Sequence, residues 1–503
     1  MHRLLALLAC APVADDSPVG PGDTAPSQDR WTLGTPTTCD AGTRIAHTDL
    51  SAAWSETYTD LPPETPSAVN PGAIALLGAS GAWTLAWVEP SGLAWRPLNG
   101  GAINRLPMGT ASSLVRADLD DDGRDDLLMA TGGLAVVWGA GSAGDIRMDA
   151  MAELVTRRSN ARPADVAAGD LDDDGDTDLF VVWTSPDRSL GDGLAASVLR
   201  NEGGRAFTEV RVDAPGSTWA ASFDVTLQDI DDDGALDAYV CHDSGPTDAP
   251  SVLLRNLGDL RFAPVLGSGL DTHMFCMGAS WGDVDRDGAL EVYVAGAEHH
   301  ALHKDAGDGT WADIAASSGL AAPFPGGIMA WGSALSDVDN DGAIDLLVGT
   351  GDFWTASAAR NDAWHYRREG DQFTRDEETL PVPTATSTRG LLTYDLNDDG
   401  VLDVVFGDAL RTPWVLESEG CTADAWLEVE APLGAEVRVE AGGFTRAAQL
   451  TGEPGWGATG PAVAHIGLGD VATVDRVALR LPGGDEVAMD GPFAPRRRIA
   501  YAP

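Results

Sequence analysis

The apolar residues of this chain fall in short uninterrupted runs, bounded by glycine and aspartate. Leu127-Leu128-Met129, Leu179-Phe180-Val181-Val182 and Leu346-Leu347-Val348 each follow an Asp-rich segment, and Met277-Gly278-Ala279-Ser280-Trp281-Gly282 precedes one. Runs of this length between turn formers read as buried strands rather than helices. A second signature recurs later in the unit, Leu199-Arg200-Asn201-Glu202-Gly203 matching Leu254-Arg255-Asn256-Leu257-Gly258. The pattern predicts units of about four strands, with the Asp-rich segment joining two of them.

Six such segments share one nine-residue frame. Positions one, three, five, seven and nine are Asp118, Asp120, Asp122, Arg124 and Asp126 in the first, and Asp170, Asp172, Asp174, Asp176 and Asp178 in the second. They are Asp229, Asp231, Asp233, Ala235 and Asp237 in the third, and Asp283, Asp285, Asp287, Ala289 and Glu291 in the fourth. The fifth has Asp337, Asp339, Asp341, Ala343 and Asp345, the sixth Asp395, Asn397, Asp399, Val401 and Asp403. Their first positions are 52, 59, 54, 54 and 58 residues apart. Upstream, Asn70 to Gly78 lines up with Asn340 to Leu347 when the glycines are matched, which puts Ser67 at the first position of a seventh unit without carboxylates. Seven units of this length predict an all-β chain: a seven-bladed β-propeller, which suppresses exposed edges by radial closure. An open solenoid is the structural alternative. Residues 422–503 alternate polar and apolar and read as a small β domain.

Charge sharpens this picture. The net charge is −46, from 78 acidic and 32 basic residues, and 29 of the acids lie inside the six segments. The acidity is therefore local, and its sign argues against nucleic acid as a partner. Two carboxylates 4 Å apart repel by about 4 kcal/mol at an effective dielectric near 20, so such packing makes sense around a cation. Side-chain oxygens at positions one, three, five and nine, with the backbone carbonyl of position seven, form a hard, flexible donor set that suits Ca²⁺ better than Mg²⁺. The loops hold no His or Cys for zinc, and the last acid falls at nine, between strands, not at the twelfth position of an EF-hand. Up to six calcium ions are expected as structural cofactors.

On these residues the chain resembles the FG-GAP and VCBS repeats of integrin α-subunit propellers and their bacterial relatives. Met277-Gly278-Ala279-Ser280-Trp281-Gly282-Asp283-Val284-Asp285 is similar to the pattern in cartilage-acidic-protein-like proteins. Ala425–Val429, Gly434–Val439, His465-Ile466-Gly467-Leu468-Gly469 and Val474–Gly484 resemble the C-terminal ASPIC/UnbV module that accompanies them. The resemblance covers about residues 65–490 and implies an extracellular, calcium-stabilised propeller with no defined chemistry.

The N-terminus runs Leu7-Leu8-Ala9-Cys10, similar to the lipobox of bacterial lipoproteins, in which the cysteine is acylated. The expected organisation is a signal segment at 1–10, a Pro/Asp/Gly tether at 11–38, the propeller at 39–421 and the ASPIC/UnbV-like domain at 422–503. The other four cysteines allow three pairings. The repeat frame favours Cys39 with Cys421, clamping the ring, and Cys241 with Cys276, between adjacent blades; buried free thiols are the alternative. Glu298-His299-His300 with His303, Cys241-His242-Asp243 and His465 are the densest polar constellations, and all read more simply as structural. Arg496-Arg497-Arg498 reads as a solvated basic end, and Trp219, Trp354 and Trp364 as packing or contact residues. The expected role is a non-enzymatic binding or adhesion module for an extracellular protein or carbohydrate, exported to the cell surface or secreted. It would touch the membrane only through an N-terminal lipid. A propeller enzyme acting on polysaccharides or sugars, of lyase or dehydrogenase type, is the rival reading.

Overall fold

The computed structural model describes residues 30–37, 46–58, 72–108, 111–139, 151–155, 161–185, 196–212, 222–243, 249–297, 299–320, 328–351, 362–377, 380–384, 386–419, 422–453 and 455–502. Among these residues the regular structure is β throughout, apart from short 3₁₀ turns.

Seven sheets carry a four-strand antiparallel meander. Blade 1 is Ile74–Leu77, Thr84–Glu89, Gly92–Pro97 and Asn104–Pro107; blade 2 is Ser113–Ala117, Asp126–Ala130, Leu134–Val137 and Met151–Val155. Blade 3 is Arg162–Gly169, Asp178–Thr184, Ala196–Asn201 and Phe207–Val212; blade 4 is Ser222–Gln228, Asp237–His242, Val252–Asn256 and Phe262–Val265. Blade 5 is Cys276–Gly282, Glu291–Gly296, Ala301–Asp305 and Trp311–Asp313; blade 6 is Met329–Ser336, Asp345–Gly351, Trp364–Glu369 and Gln372–Asp376. Blade 7 takes Thr388–Tyr394, Asp403–Asp408 and Trp414–Glu419 from the end of the ring, and its outer strand, Ala46–Asp49, from the beginning of the chain. The innermost strand of each blade lies against that of the next, and blade 7 against blade 1, so the chain is a seven-bladed β-propeller.

The continuous apolar runs are explained by burial on both faces of the inner strands. In Asp345–Gly351, Leu346 and Val348 pack with Tyr293 and Ala295 of blade 5, while Leu347 faces Val404 and Phe406 of blade 7. Alternate side chains of one strand thus serve two inter-blade cores.

The C-terminal module is two four-stranded sheets around one core. One holds Trp31–Leu33, Arg497–Tyr501, Ala425–Glu430 and Val463–Gly469; the other holds Phe444–Gln449, Glu436–Ala441, Val474–Arg480 and Glu486–Phe493. Leu427, Val429 and Ile466 meet Val437, Val439, Val477 and Leu479 between them.

Three features differ from the sequence expectation. Ile74–Leu77 is the innermost strand of blade 1, not the strand after a metal loop, so the connection that corresponds to the Asp loops is residues 78–83. The glycine match misled because both strands are short, apolar and preceded by Gly-Ala; Ser67 lies outside the described residues. Trp31–Leu33, within the expected tether, pairs antiparallel with Arg497–Tyr501. Arg497 and Arg498 therefore lie in a strand, and Arg498 binds the Tyr394 hydroxyl at 3.1 Å and Glu430 at 3.2 Å. Cys241 is bonded to Cys276, linking blades 4 and 5. Cys10, Cys39 and Cys421 lie outside the described residues. Among those described, no helix is long and apolar enough to cross a membrane.

Candidate metal centres

All six Asp segments form the connection between the first and second strands of blades 2 to 7. They share one backbone. Position four is left-handed in each, at Asp121 (φ 56°), Asp173 (60°), Asp232 (61°), Arg286 (67°), Asn340 (61°) and Asp398 (58°). The position-six glycine has φ between 77° at Gly123 and 94° at Gly175, a region that other residues enter only at a cost. The position-four requirement was legible in retrospect, since five of the six residues are Asp or Asn, the types that best tolerate it.

The acids hold this backbone by accepting from it. Position one takes the position-six N–H, at 2.8 Å for Gly123 on Asp118 and 2.7 Å for Gly342 on Asp337. Position five takes the position-seven N–H, at 3.0 Å for Ala235 on Asp233 and 2.8 Å for Val401 on Asp399. Position nine is buried in each of blades 2 to 7 and ties the loop to the blade. In blade 3, Asp178 accepts from Leu171 N–H at 3.1 Å with one oxygen and from Asn201 N–H of the third strand at 2.7 Å with the other.

Carboxylate oxygens from three residues converge, all within 4.8 Å of one another, in five of the loops. Blades 2, 4 and 6 use positions one, three and five: Asp118, Asp120 and Asp122; Asp229, Asp231 and Asp233; Asp337, Asp339 and Asp341. Blades 3 and 5 use positions one, three and nine: Asp170, Asp172 and Asp178; Asp283, Asp285 and Glu291. Four of these groups keep at least one buried carboxylate oxygen without a hydrogen-bond donor, Oδ1 of Asp120, Asp170, Asp172, Asp231 and Asp337, whereas in blade 5 the Glu291 Oε1 has the Lys304 ammonium 3.3 Å away. A buried acceptor left without a donor is costly, and a hard cation satisfies several at once. The donor set therefore fits calcium.

The blade 7 loop is different. Asn397 donates to Ser418 O at 3.1 Å, the Ser418 hydroxyl donates to Asp399 at 3.0 Å, and Asp395 faces Glu428 of the C-terminal module. Three carboxylates do not converge there among the described residues.

Burial with like-charge neighbours raises the position-nine acids and Asp337. Asp126 is pushed up to about 6, and Asp178, Asp237 and Glu291 to about 7, each chiefly by burial and against the pull of its backbone donors. Asp337 is raised well above the usual range by burial and by Asp339, Asp341 and Asp345. Such a loop resists being fully ionised unless a cation enters.

The C-terminal module sits on this same face. Arg480 contacts Asp229 at 3.1 Å and Asp232 at 2.8 Å, Ala447 N–H donates to Asp283 at 3.0 Å, and His465 Nε2 meets Asn340 Oδ1 at 2.8 Å. Its 455–459 segment enters the ring axis. Trp456 packs with Met277 and Trp331, and Ala458–Thr459 pairs in parallel with Ile74–Ala75. Gly390 is required there, because a Cβ would stand 2.2 Å from Gly457 O. Between module and loops lies a cavity of about 180 Å³, lined in part by Tyr394, Glu428, Arg446 and His465.

The other constellations are structural. His300 is buried between the hydroxyls of Tyr293 and Tyr366, and burial lowers it to about 4. His303 is also buried, whereas His299 is exposed, and Glu298 lies outside the described residues. His242 Nδ1 meets Pro250 O at 2.6 Å beside the disulfide. Trp364 is buried against His300 and Tyr366, and Trp219 and Trp354 lie outside the described residues.

The sequence matches the FG-GAP-like repeat family over residues 229–294 and 283–348, and the ASPIC and UnbV family over residues 430–494. The chain thus carries FG-GAP-like repeats followed by an ASPIC/UnbV domain. No curated protein matches it in sequence. Among solved structures it is similar to a streptogramin B lyase (TM-score 0.45, 10% identity, 76% of this chain and 100% of that chain). It is also similar to BBS1N in complex with ARL6DN (TM-score 0.41, 10% identity, 75% and 98%). A third is the V. cholerae biofilm matrix protein Bap1 (TM-score 0.31, 14% identity, 86% and 65%). At these values no activity passes from them to this chain.

Proposed function

We propose that the chain is a calcium-binding, non-enzymatic recognition module that works outside the cell and holds an extracellular protein or carbohydrate. The observation that carries the calcium is the repeated convergence of three carboxylates, in four of the loops with a buried oxygen lacking a donor. Positions one, three, five and nine would supply ligands, and the metal would neutralise charge that otherwise opposes the loop. Affinities of about 10⁻⁴–10⁻³ M, typical of extracellular modules, suit such a role.

The recognition reading is supported by what fills the axis. Sugar-processing propeller chemistry needs an axial pocket, and here Trp456 and its neighbours occupy the ring centre while the module covers the loop face. The opposite face would take the partner. Export with acylation of Cys10 belongs to the same proposal.

Elemental analysis of the dialysed chain tests the metal, and glycan and protein arrays probed with the calcium-loaded chain test the recognition. Calcium-dependent array signals support the reading; turnover of a polysaccharide by the same preparation overturns it. Mass spectrometry of the mature N-terminus checks the lipid.

A further inference from the structure

The second repeated signature of the sequence has a place in the metal loops. One residue beyond the register pairs Leu179↔Leu199, Ala238↔Leu254, Val292↔His303 and Leu346↔Tyr366, the third strand puts a cation across from the position-nine acid: Arg200, Arg255, Lys304 and Arg367. The same step gives Trp138 in blade 2 and Glu417 in blade 7.

The three arginines lie against the side of their loops. Arg200 meets Asp172 at 2.8 Å and Asp174 at 3.2 Å, Arg255 meets Asp231 at 2.9 Å, and Arg367 meets Asp339 at 2.8 Å and Asp341 at 3.0 Å. None of these contacts reaches position nine. Lys304 does: its Nζ binds Asp285, lies 2.7 Å from Asp287 and 3.3 Å from Glu291 Oε1. Blade 5 is also where position nine is Glu, and its carboxylate converges with those of Asp283 and Asp285, as Asp178 does in blade 3. A second cation closes the other side, Arg446 Nη1 donating to Asp283 O at 2.7 Å. An ammonium is a compact point charge with three donors, able to stand where a metal ion would; a guanidinium fork is not.

We propose that Lys304 is the resident cation of the blade 5 loop, so that this loop takes no calcium and its neighbours do. The inference rests on the calcium reading of the other loops and refines it: the chain carries one loop that is neutralised from within. Glu291 and Lys304 act as a pair, and both departures from the repeat consensus have one cause.

The test is the calcium stoichiometry of the whole chain, by equilibrium dialysis with calcium alone at millimolar concentration, for the native protein, Lys304→Met and Lys304→Gln. Both variants are purified in calcium, which guards against unfolding of an un-neutralised loop. The expected result is one more calcium per chain in each variant than in the native protein, with a melting temperature that has become more sensitive to EGTA. Arg255→Met, at a loop already filled, is expected to leave the count unchanged. Native protein and lysine variants with the same non-zero count overturn the inference and leave the calcium reading standing. Calcium absent from all of them overturns both.

Discussion

Blade 1 and the six blades that follow build the same four-strand sheet by different means. In blades 2 to 7 the first connection is a carboxylate-rich loop whose backbone is held by its own acids. In blade 1 it is the turn at 78–83, which carries no acid. That turn borrows its partners: Gly78 N–H donates to Asp125 of blade 2 at 2.8 Å, and Trp83 packs edge-on against Tyr394 of blade 7 with ring centroids 5.1 Å apart. Blade 1 also gains a fifth strand from the C-terminal module. The contrast teaches that a blade can make its first connection without acids of its own. Apolar packing suffices there, and on the calcium reading the Asp loops would add a cation-dependent layer to the apolar frame.

The largest test of this contrast is chelation. Transfer to EGTA is expected to lower the melting temperature by more than ~10 °C, since filling each site at a hundredfold excess over Kd adds about 2.7 kcal/mol. Hydrogen exchange should then rise in the Asp loops and stay unchanged at residues 78–83. Next, Trp83→Ala is expected to cost about 3–5 kcal/mol in denaturant unfolding, as for other buried Trp truncations, and to cost the same with or without calcium. Asp337→Asn should split by condition: destabilising by about 1–3 kcal/mol in calcium, through loss of a ligand, and stabilising in EGTA, where it removes a carboxylate that burial and three like charges disfavour.

A smaller effect concerns acids that belong to neither kind of connection. Asp165 and Asp224 share a hydrogen bond on the inner strands of blades 3 and 4, and burial raises both, Asp224 well above its ordinary value. A carboxyl raised by folding contributes stability that is full below the unfolded value near 3.9 and is lost as pH rises through the folded one. Asp224→Asn, measured in saturating calcium, is therefore expected to flatten the decline of stability with rising pH. If the curve is unchanged, the pair is not the source of that slope.

What the sequence made legible was whatever repeats. Apolar runs marked strands because both faces are buried, and the Asp frame marked the loops because each blade needs the same reversal. The alternation in Ala425–Glu430 and Val474–Arg480 marked the module's strands for the same local reason. What stayed hidden depends on distant partners. Nothing local in Ala46–Asp49 says that it finishes blade 7, and nothing in Trp31–Leu33 says that it pairs with Arg497–Tyr501. The seat of Arg480 and His465 on the Asp loops likewise joins segments far apart in the chain. The left-handed position four and the third-strand cation were visible as letters, but their roles needed the register.

The pairing of Thr48 with Glu417 has a kinetic side. These residues lie roughly 370 positions apart, and bringing chain ends together over such a span costs about 5 kcal/mol of configurational entropy before any ladder bond repays it. Contacts of that separation slow folding. A nascent chain can complete blades 2 to 6 as it emerges, yet the ring must wait for the last-made strands to capture one of the first. The segment at 46–49 is thus a timer: until it is caught, blade 7 presents an open edge, and afterwards the circle has no natural point from which to unravel.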